Sequence, residues 1–390
     1  MAESSITSTL RLDYFFVGRF MKVLLVARHP EGGIKTYISY VYGDEKLSYI
    51  DLDLISPCSD NREFFQSRIP NLKSYSETKQ GFFNLFFSVF IQSIKNRPDI
   101  IHAHGFSALV LSVVQARLLF IPHLVTTHDV FNENQFKGLK GLLKRHILSV
   151  ALFLSNRINP VGRDACLNLT EQFPFLLNSK KVNYIRNGIP VETFSSYANR
   201  DVKSELGVEK DTILLGFFGR FMAQKGFSIL VDAIEIERNR SDSKNICVVC
   251  FGWGGYIREE IIELKNRGLE DVFYFLPATD DMPTAIRAVD CLVIPSRWEA
   301  CPLLPMEAMV SGAVVIASDC IGMREVTEGS PTLVFKSGCA DSLAEKIQYF
   351  ANNQHSLKLE CEQFKSTAAE RFDVKETINS LDDLYRSVSI

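Results

Sequence analysis

Short apolar runs alternate with longer stretches of helical periodicity along most of the 390-residue chain. In the first half the apolar runs are typical of β-strands, and they cover residues 22–27, 99–103, 123–127 and 182–185. Between them, apolar positions recur every three or four residues, which predicts helices over 36–42, 84–96, 109–119 and 140–155. Strands that alternate with helices in this way favour a parallel sheet built from βαβ units.

The second half repeats this alternation from residue 213 onwards. Its predicted strands are 213–218, 246–251, 272–276, 291–295, 314–317 and 332–335, and its predicted helices are 228–237, 258–267, 284–288, 303–310 and 342–351. Residues 190–210 are polar and lack a clean period, so we interpret them as a linker between two domains. The chain therefore predicts an α/β protein in which two Rossmann-like domains face each other across a cleft.

The composition is that of an ordinary globular protein, with 46% hydrophobic and 23% charged residues. A net charge of −3 gives no reason to expect a nucleic-acid partner. Nine cysteines, an odd number without framework spacing, favour a reducing compartment. Cys247 and Cys250 lie three apart in a β-type run, so they face opposite sides of a strand. That placement favours two core thiols over a shared metal site.

The N-terminal segment resembles no signal peptide, because it carries an acidic residue near its start and has no clear apolar core. No apolar stretch in the chain reaches the roughly 20 residues of a membrane-spanning helix. Met21 directly precedes the first predicted strand, so residues 1–20 fit either a short extension or a translation start that was assigned too early. We expect a cytoplasmic protein.

Glycine-containing turns follow the first strand of each series. In ARHPEGGIKTY, Gly32 and Gly33 stand where the strand passes into a helix, so backbone N–H groups can approach a ligand; an ordinary turn fits equally well. In FFGRFMAQKGFSIL, Arg220 and Lys225 bracket the loop that leads to Gly226. Two cations beside a helix N-terminus suit a diphosphate, while a solvated loop is the alternative.

The segment SRWEACPLLPMEAMVSG, residues 296–312, holds two glutamates at either end of a short apolar run. The preceding strand delivers Glu299 to the edge of the cleft. Pro302 and Pro305 fit the first turn of a helix, which places Glu307 about a turn and a half into it. Buried carboxylates need partners, and ligand hydroxyls would satisfy both of them.

With this spacing the chain resembles family 4 of the retaining glycosyltransferases, which have the GT-B fold and a Glu-x7-Glu signature. Further landmarks match in order from Met21 to the end of the chain: the GG loop, DIIHAHGF, TTHD, IRNGIPVETF, GRFMAQKG and RFDVKETINSLDDLY. The resemblance implies an acceptor domain at residues 1–190 and a nucleotide-sugar domain at 191–370. It also implies a last helix, within 371–390, that crosses back to the first domain.

The resemblance implies roles for individual residues as well. Arg220 and Lys225 would hold the donor diphosphate, and Glu307 would contact the ribose. Glu299 would contact the donor sugar and His128 would lie near the anomeric carbon, so we take His128 and Glu299 as the catalytic candidates. The donor-binding candidates together are Gly32, Gly33, Arg220, Lys225, Ala300, Cys301, Leu303, Leu304 and Glu307.

Three departures from the family pattern concern uncharged residues. After the first glutamate the family often has Gly-Phe-Gly, where this chain has Ala300, Cys301 and Pro302. Pro277 stands where a glycine is usual, and Gly162 where a serine is common. None of these changes touches a charged residue of the expected site.

Two further patterns superficially resemble metal sites. DLD at residues 51–53 matches the Asp-x-Asp of a different glycosyltransferase fold, but fits a strand end or a cap better. His102 and His104 share a strand face, yet no carboxylate or thiol in the run completes a site. We therefore take His104 as an acceptor contact.

Because Arg220 and Lys225 would stabilise the departing diphosphate, we expect no metal and no cofactor.

Two segments combine apolar and basic residues. GFFNLFFSVFIQSIKNR has five phenylalanines between positions 82 and 90. FKGLKGLLKRHILSVALFLSNR combines Lys137, Lys140, Lys144 and Arg145 with a leucine stripe. A basic amphipathic helix can lie on an anionic bilayer; the alternative is that both helices pack on the first sheet with a solvated basic edge. We expect peripheral contact with the cytosolic face of an anionic membrane.

The sequence thus predicts a metal-independent retaining glycosyltransferase with a nucleotide-diphosphate sugar as donor. Its acceptor would be a glycan or a lipid-linked glycan in the synthesis of lipopolysaccharide, capsule or exopolysaccharide. One alternative is a GT-B sugar-nucleotide epimerase, which needs no acceptor. Another is a catalytically silent partner that binds the nucleotide sugar, although the intact set of charged residues speaks against it.

Overall fold

Two parallel sheets of six strands each form the framework of the molecule. The computed structural model describes residues 20–57, 61–132, 134–195, 200–254 and 256–388. Within these ranges the strand order is β3-β2-β1-β4-β5-β6 in the first sheet and β12-β11-β10-β7-β8-β9 in the second. In each sheet the order reverses beside the first strand of the series, which is where parallel α/β sheets bind ligands.

The first half of the chain builds one sheet with helices on both faces. Its strands are β1 (Met21–Ala27), β2 (Ile50–Ser56), β3 (Leu72–Glu77), β4 (Ile100–His104), β5 (His123–Thr127) and β6 (Arg157–Pro160). Its helices are α1 (Gly33–Tyr42), α2 (Arg62–Arg68), α3 (Phe82–Asn96), α4 (Phe106–Leu118), α5 (Gly138–Leu154) and α6 (Arg163–Gln172).

The second half repeats the arrangement. Its strands are β7 (Ile213–Arg220), β8 (Ile246–Trp253), β9 (Phe273–Leu276), β10 (Cys291–Ile294), β11 (Val315–Ser318) and β12 (Leu333–Phe335). The helices between residues 191 and 327 are α7 (Val191–Ser195), α8 (Val202–Leu206), α9 (Phe227–Arg238), α10 (Ile257–Asn266), α11 (Met282–Arg287), α12 (Leu303–Val310) and α13 (Met323–Thr327). The last two helices are α14 (Ala340–Phe372) and α15 (Val374–Val388).

Several elements differ from the sequence-based expectation. Strands β2, β3 and β6 were not expected, and the expected strand at 182–185 is irregular apart from one bridge between Ile158 and Val182. Helix α14 continues well beyond residue 351, with a break in helical geometry at Asn353. The missed strands are polar at alternate positions or very short, so they lack the continuous apolar run of a central parallel strand.

The chain passes between the two halves at two neighbouring points. Ile189 donates its N–H to the carbonyl of Phe372 at 2.8 Å and accepts from the N–H of Val374 at 2.9 Å. Beyond this double crossing, α15 packs against the first half, where its Ile378 and Leu381 join the same buried cluster as β1 and α1. The final helix therefore belongs to the core of the first sheet.

A reciprocal pair of carboxylates ties the halves together beside the cleft. Glu325 in α13 accepts from the backbone N–H groups of Arg163 and Asp164 at the start of α6, both at 2.9 Å. Asp164 in turn accepts from the N–H of Gly322 at 2.9 Å and from Arg324 at 2.8 Å. Each carboxylate satisfies N–H groups that a helix N-terminus leaves unpaired.

Candidate active site

A cleft of about 1080 Å³ lies between the carboxyl ends of the two sheets. Turns after β1, β5, β7 and β10 border it, because the carboxyl ends of parallel strands meet at one edge of each sheet. All twelve residues that the sequence marks as catalytic, donor-binding or acceptor candidates lie along this cleft: Gly32, Gly33, His104, His128, Arg220, Lys225, Glu299, Ala300, Cys301, Leu303, Leu304 and Glu307.

The turn after β1 brings a helix N-terminus to the cleft. Gly32 has φ of 55° and ψ of −129°, a backbone conformation that residues with a side chain rarely adopt, and it forms the N-cap of α1. The Nε atom of Arg220 lies 3.5 Å from the position that a Cβ of Gly32 would occupy. A guanidinium from one half thus faces a helix N-terminus from the other, and both attract anions.

An ion pair between a half-buried lysine and a buried glutamate lies at the end of the loop between β7 and α9. The Nζ atom of Lys225 donates to Oε1 of Glu299 at 2.7 Å, and Ser296 Oγ donates to the same oxygen at 2.7 Å. The geometry depends on Gly226, which has φ of 67° and whose Cβ, if present, would lie 2.0 Å from the carbonyl oxygen of Pro295. A glycine at this position lets the loop approach the strand end that carries Glu299.

Glu307 meets a different environment within α12. Its Oε1 accepts a hydrogen bond from the hydroxyl of Tyr40 in the opposite half at 2.9 Å. Burial raises the pKa of Glu307 to about 7, and the hydrogen bond from Tyr40 opposes that shift. The two glutamates of the signature therefore differ in their partners: a cation for Glu299 and a neutral hydroxyl for Glu307.

Three histidines form a row at the ends of β4 and β5, in which His102 and His104 are buried and His128 is half-buried. Nδ1 of His104 and Nε2 of His128 are hydrogen-bonded to each other at 3.1 Å, and the ring of Tyr37 contacts His128 edge to face. His102 is hydrogen-bonded to Thr126 at 2.8 Å. Burial lowers the pKa of His128 to about 3 and the pKa of His104 further below its ordinary value. Both rings are neutral at pH 7, so they act as hydrogen-bonding groups and carry no charge.

The four uncharged donor-binding candidates line the cleft beside the glutamates. Ala300, Cys301 and Leu303 are buried, and Leu304 is half-buried. The carbonyl of Cys301 accepts from Nδ2 of Asn187 at 2.8 Å, which connects the two halves at the floor of the cleft.

Two of the departures from the family pattern, Gly162 and the segment 300–302, lie where the halves meet. A Cβ at Gly162 would lie 2.9 Å from the carbonyl oxygen of Ala300, so the glycine permits a close approach that a serine would obstruct. Pro302 is the N-cap of α12 and precedes the helix, whereas the sequence placed it inside the first turn; Pro305 does lie there. The helix still ends as expected, with Gly312 at φ of 73°.

Sequence reasoning missed several polar residues of the cleft. Tyr40, Ser296 and Asn187 each contact a predicted residue or its backbone, yet none carries a charge. Ser296 and Asn187 lie within two of the quoted segments, residues 296–312 and IRNGIPVETF, but were not selected as site residues there. Asp129, directly after His128, also lines the cleft, and burial raises its pKa. Ser296 and Asp129 each follow a predicted strand closely, and Asn187 lies in a landmark segment, so Tyr40 alone among these four had no usable signal in the sequence.

Within the described residues no group of three or more histidines, cysteines or carboxylates is placed to hold a metal ion. The DLD sequence lies in β2, where Asp53 accepts from Nδ2 of Asn96 at 2.8 Å. That contact connects a strand to a neighbouring helix of the first half. The sequence interpretation placed DLD at a strand end or a cap, whereas it lies within β2.

Comparison with known proteins agrees with the sequence resemblance in both family and fold. The family model for Glycosyltransferase Family 4 matches residues 47–193, and that for Glycosyl transferases group 1 matches residues 212–353. The UDP-Gal:alpha-D-GlcNAc-diphosphoundecaprenol alpha-1,3-galactosyltransferase of Escherichia coli is 23% identical over 75% of this chain and 76% of its own length. The lipopolysaccharide core biosynthesis mannosyltransferase LpsB of Rhizobium meliloti is 28% identical over 52% of this chain and 60% of its own.

Among solved structures, Anabaena Alr3699/HepE in complex with UDP-glucose superimposes with a TM-score of 0.80. The two proteins share 19% sequence identity. The superposition covers 94% of this chain and 100% of the HepE chain. At this identity the likeness concerns the fold. It confirms the predicted α/β architecture of two Rossmann-like halves in the GT-B arrangement.

Proposed function

Because the chain belongs to the GT-B glycosyltransferases that combine a Family 4 domain with a group 1 domain, we propose that it transfers a sugar from a nucleotide-diphosphate donor with retention of configuration. One observation carries this proposal. Arg220 lies against the glycine turn of α1, and in the same cleft the Lys225–Glu299 pair joins the loop after β7 to the end of β10. Cations and a helix N-terminus at one place suit the diphosphate of a leaving nucleotide.

The donor would lie with its nucleotide towards α12 and its sugar towards His128. We assign the ribose hydroxyls to the carboxylate of Glu307, beside the hydroxyl of Tyr40, and the hydroxyls of the sugar to Glu299. Arg220, Lys225 and the backbone N–H groups at Gly33 would bind the phosphates. The uncharged residues Ala300, Cys301, Leu303 and Leu304 would complete the donor surface between the two carboxylates.

In the reaction the bond between C1 of the sugar and the phosphate oxygen breaks, and the diphosphate leaves with that electron pair. The acceptor hydroxyl forms the new bond to C1 and passes its proton to the leaving phosphate. Positive groups placed where negative charge develops lower the barrier, and we assign this role to Arg220 and Lys225. The neutral His128 ring would hold a sugar hydroxyl, and His104 behind it would fix its orientation from the acceptor side.

For the donor base and the acceptor, two relatives supply candidates. The structural neighbour Alr3699/HepE holds UDP and UDP-glucose, and the Escherichia coli relative is named for transfer to a GlcNAc-diphosphoundecaprenol. We therefore propose a UDP-hexose as the first donor to test. The proposed acceptor is a lipid-linked glycan in surface polysaccharide synthesis.

Calorimetric titration with a panel of nucleoside diphosphates and their sugars, without metal, tests the proposal. We expect one nucleotide to bind in the micromolar range and Lys225→Ala to weaken that binding at least tenfold, because a cation at the diphosphate is lost. Lys265→Ala serves as the matched control, since Lys265 is an exposed lysine of α10 outside the cleft. It should leave the affinity unchanged.

The outcomes separate the alternatives. The donor site would be contradicted if no nucleotide of the panel bound, or if wild type and Lys225→Ala bound the nucleotide equally well. Binding followed by conversion of the sugar nucleotide in the absence of any acceptor would favour an epimerase instead. Binding with neither conversion nor transfer to a panel of lipid-linked acceptors would favour a silent partner.

A further inference from the structure

Three neighbouring helices of the first half present large apolar side chains to solvent. Helices α3, α4 and α5 cover one face of the sheet and pack against one another in that order. Their inner sides are buried, with Leu85 and Val89 in α3 and Leu148 and Leu152 in α5. Their outer sides expose further large apolar residues, which include Phe83, Phe87, Ile91, Leu139, Leu142 and Phe153. We call this outer surface of α3, α4 and α5 the apolar face.

The exposure of the apolar face is far beyond that of scattered surface residues. Phe120, in the turn after α4, is 94% exposed and Leu139 at the start of α5 is 87% exposed. Contiguous apolar surface of this kind marks an interaction site in a folded protein. The inner stripes pack on the sheet, as one of the two expected arrangements had it, and the outer stripes are exposed.

The charges of the same helices have a single sign. Together α3, α4 and α5 contain no aspartate or glutamate. They carry Lys95, Arg117, Lys140, Lys144 and Arg145, in a chain whose net charge is −3. The three helices thus have a net charge of +5, which is complementary to an anionic surface.

The apolar face continues into the mouth of the cleft. Phe82, Lys140, Leu143, Lys144 and Ile147 are exposed residues of α3 and α5, and they also line the cleft. These residues lie on the side of the cleft that the first half forms, opposite the Lys225–Glu299 pair. A molecule held on the apolar face would be at the entrance to the site.

We propose that the apolar face docks on an anionic lipid bilayer, with exposed phenylalanines and leucines inserted among the acyl chains and the lysines at the head groups. Apolar residues with a basic rim are the composition of a helix surface that lies in the plane of a membrane. No helix among the described residues is long and apolar enough to cross a bilayer, so the contact is with its surface. When the apolar face lies on the bilayer, the mouth of the cleft lies at the bilayer surface.

A second copy of the chain is a poorer occupant. Symmetric pairing would bring two faces of the same positive charge together without a carboxylate on α3, α4 or α5 to neutralise them. An anionic bilayer satisfies both the charge and the apolar surface. The further step, that the docked cleft receives a lipid-linked acceptor, rests on the proposed function; the docking itself does not.

Co-sedimentation with vesicles tests the docking. The full chain is mixed at low salt with vesicles of phosphatidylglycerol and phosphatidylcholine, and with vesicles of phosphatidylcholine alone. We expect the protein to bind the anionic vesicles at least tenfold more strongly than the neutral ones. This preference should disappear as the salt concentration is raised. The variant Phe83→Ser/Phe87→Ser/Leu139→Ser should bind the anionic vesicles at least tenfold more weakly, and Lys95→Gln/Lys137→Gln should reduce the preference for them.

The matched control replaces exposed apolar residues of the second half, in Ile261→Ser/Ile262→Ser/Leu359→Ser, and should bind like wild type. Thermal melts and nucleotide titration establish that all variants fold and retain the donor site, so a failed docking and a failed donor site are distinguishable. The proposal would be overturned if the control triple lost as much vesicle binding as the Phe83→Ser/Phe87→Ser/Leu139→Ser variant. It would also be overturned if wild type did not sediment with anionic vesicles at low salt. A dimer in sedimentation velocity without vesicles that the Phe83 variant converts to monomer would overturn it as well.

Discussion

Glu299 and Glu307 belong to one signature but have opposite electrostatic settings. Lys225 and Ser296 both donate to Glu299, so a cation and a hydroxyl are its partners. Glu307 is surrounded by apolar side chains of α12 and has a neutral phenol as partner, so burial raises its pKa to about 7. A ligand that donates hydroxyl hydrogens to Glu307 would therefore favour the release of a proton.

The raised pKa of Glu307 predicts a pH dependence of stability. Between about pH 4.5 and 7 the folded protein binds more protons at this site than the unfolded chain does, so the free energy of unfolding falls as the pH rises through that interval. Glu307→Gln removes the titrating group and keeps an oxygen that can accept from Tyr40. The variant should lose less stability between pH 5 and 8 than wild type, by on the order of 1 to 3 kcal/mol.

Urea unfolding at pH 5 and pH 8 measures this difference. Glu345→Gln, an exposed glutamate of α14, is the control and should keep the wild-type dependence. Parallel pH curves for wild type and Glu307→Gln would show that Glu307 does not titrate in this range, and that the cleft is more polar than the described contacts indicate.

At the scale of residues, sequence reasoning found the charged groups and missed their uncharged partners. Arg220, Lys225 and Glu299 carry charges in or just after strand ends, and Glu307 is a charge within an apolar helix; both are signals that a single sequence can show. Tyr40 is 267 positions from Glu307, and no local pattern indicates that their side chains meet. The roles of the cleft residues in binding and catalysis remain predictions.

At the scale of elements, central apolar strands and amphipathic helices were predictable to within a few residues. Strand β2 was missed because Asp51 and Asp53 interrupt its apolar positions; the sheet accommodates them because that face is only half-buried. Strand β6 has four residues, and one of them, Asn159, is buried with its Oδ1 bound to the N–H of Ile185 at 3.1 Å. Periodicity cannot find a strand whose stability comes from such long-range contacts.

Helix α15 shows how strongly one element can depend on another that is remote in sequence. The hydroxyl of Tyr385 is within 2.7 Å of both the Tyr42 hydroxyl and Nδ1 of His102, all of them buried. Tyr385→Phe should destabilise the protein by about 1–2 kcal/mol, because a buried network loses a partner. Tyr385→Ala should cost about 3–5 kcal/mol, because it also leaves a cavity in the first half.

Chemical denaturation measures both Tyr385 variants, and Tyr349→Ala provides the control, since Tyr349 in α14 is half exposed. The control should change the free energy of unfolding by less than about 1 kcal/mol. Equal effects of Tyr385→Phe and Tyr385→Ala would show that the hydroxyl network, and not packing, holds α15 in place.

At the scale of the whole molecule, the reciprocal carboxylates of α6 and α13 hold the halves in the arrangement that closes the cleft. Glu325→Ala would leave the N–H groups of Arg163 and Asp164 and the hydroxyl of Tyr184 without this acceptor. We expect a loss of about 1–3 kcal/mol in stability and a larger radius of gyration by small-angle scattering.

Glu328→Ala is the matched control for Glu325→Ala, because Glu328 also pairs with Arg163 across the halves, at 3.0 Å, but both side chains are more than half exposed. Exposed pairs contribute little, so this variant should stay within about 0.5–1 kcal/mol of wild type. A radius of gyration unchanged by Glu325→Ala would mean that the double crossing at Ile189 and Phe372 fixes the halves by itself.

The return of α15 to the first sheet also sets an order of events during synthesis. The residues that complete the buried cluster around β1 and α1 include Val374, Ile378, Leu381 and Leu384, more than 300 positions after Tyr42. While the ribosome makes the second half, the first half has an unfilled apolar groove where α15 will lie. The half that is made first is thus completed last, and the nascent chain needs protection from aggregation until its final helix emerges.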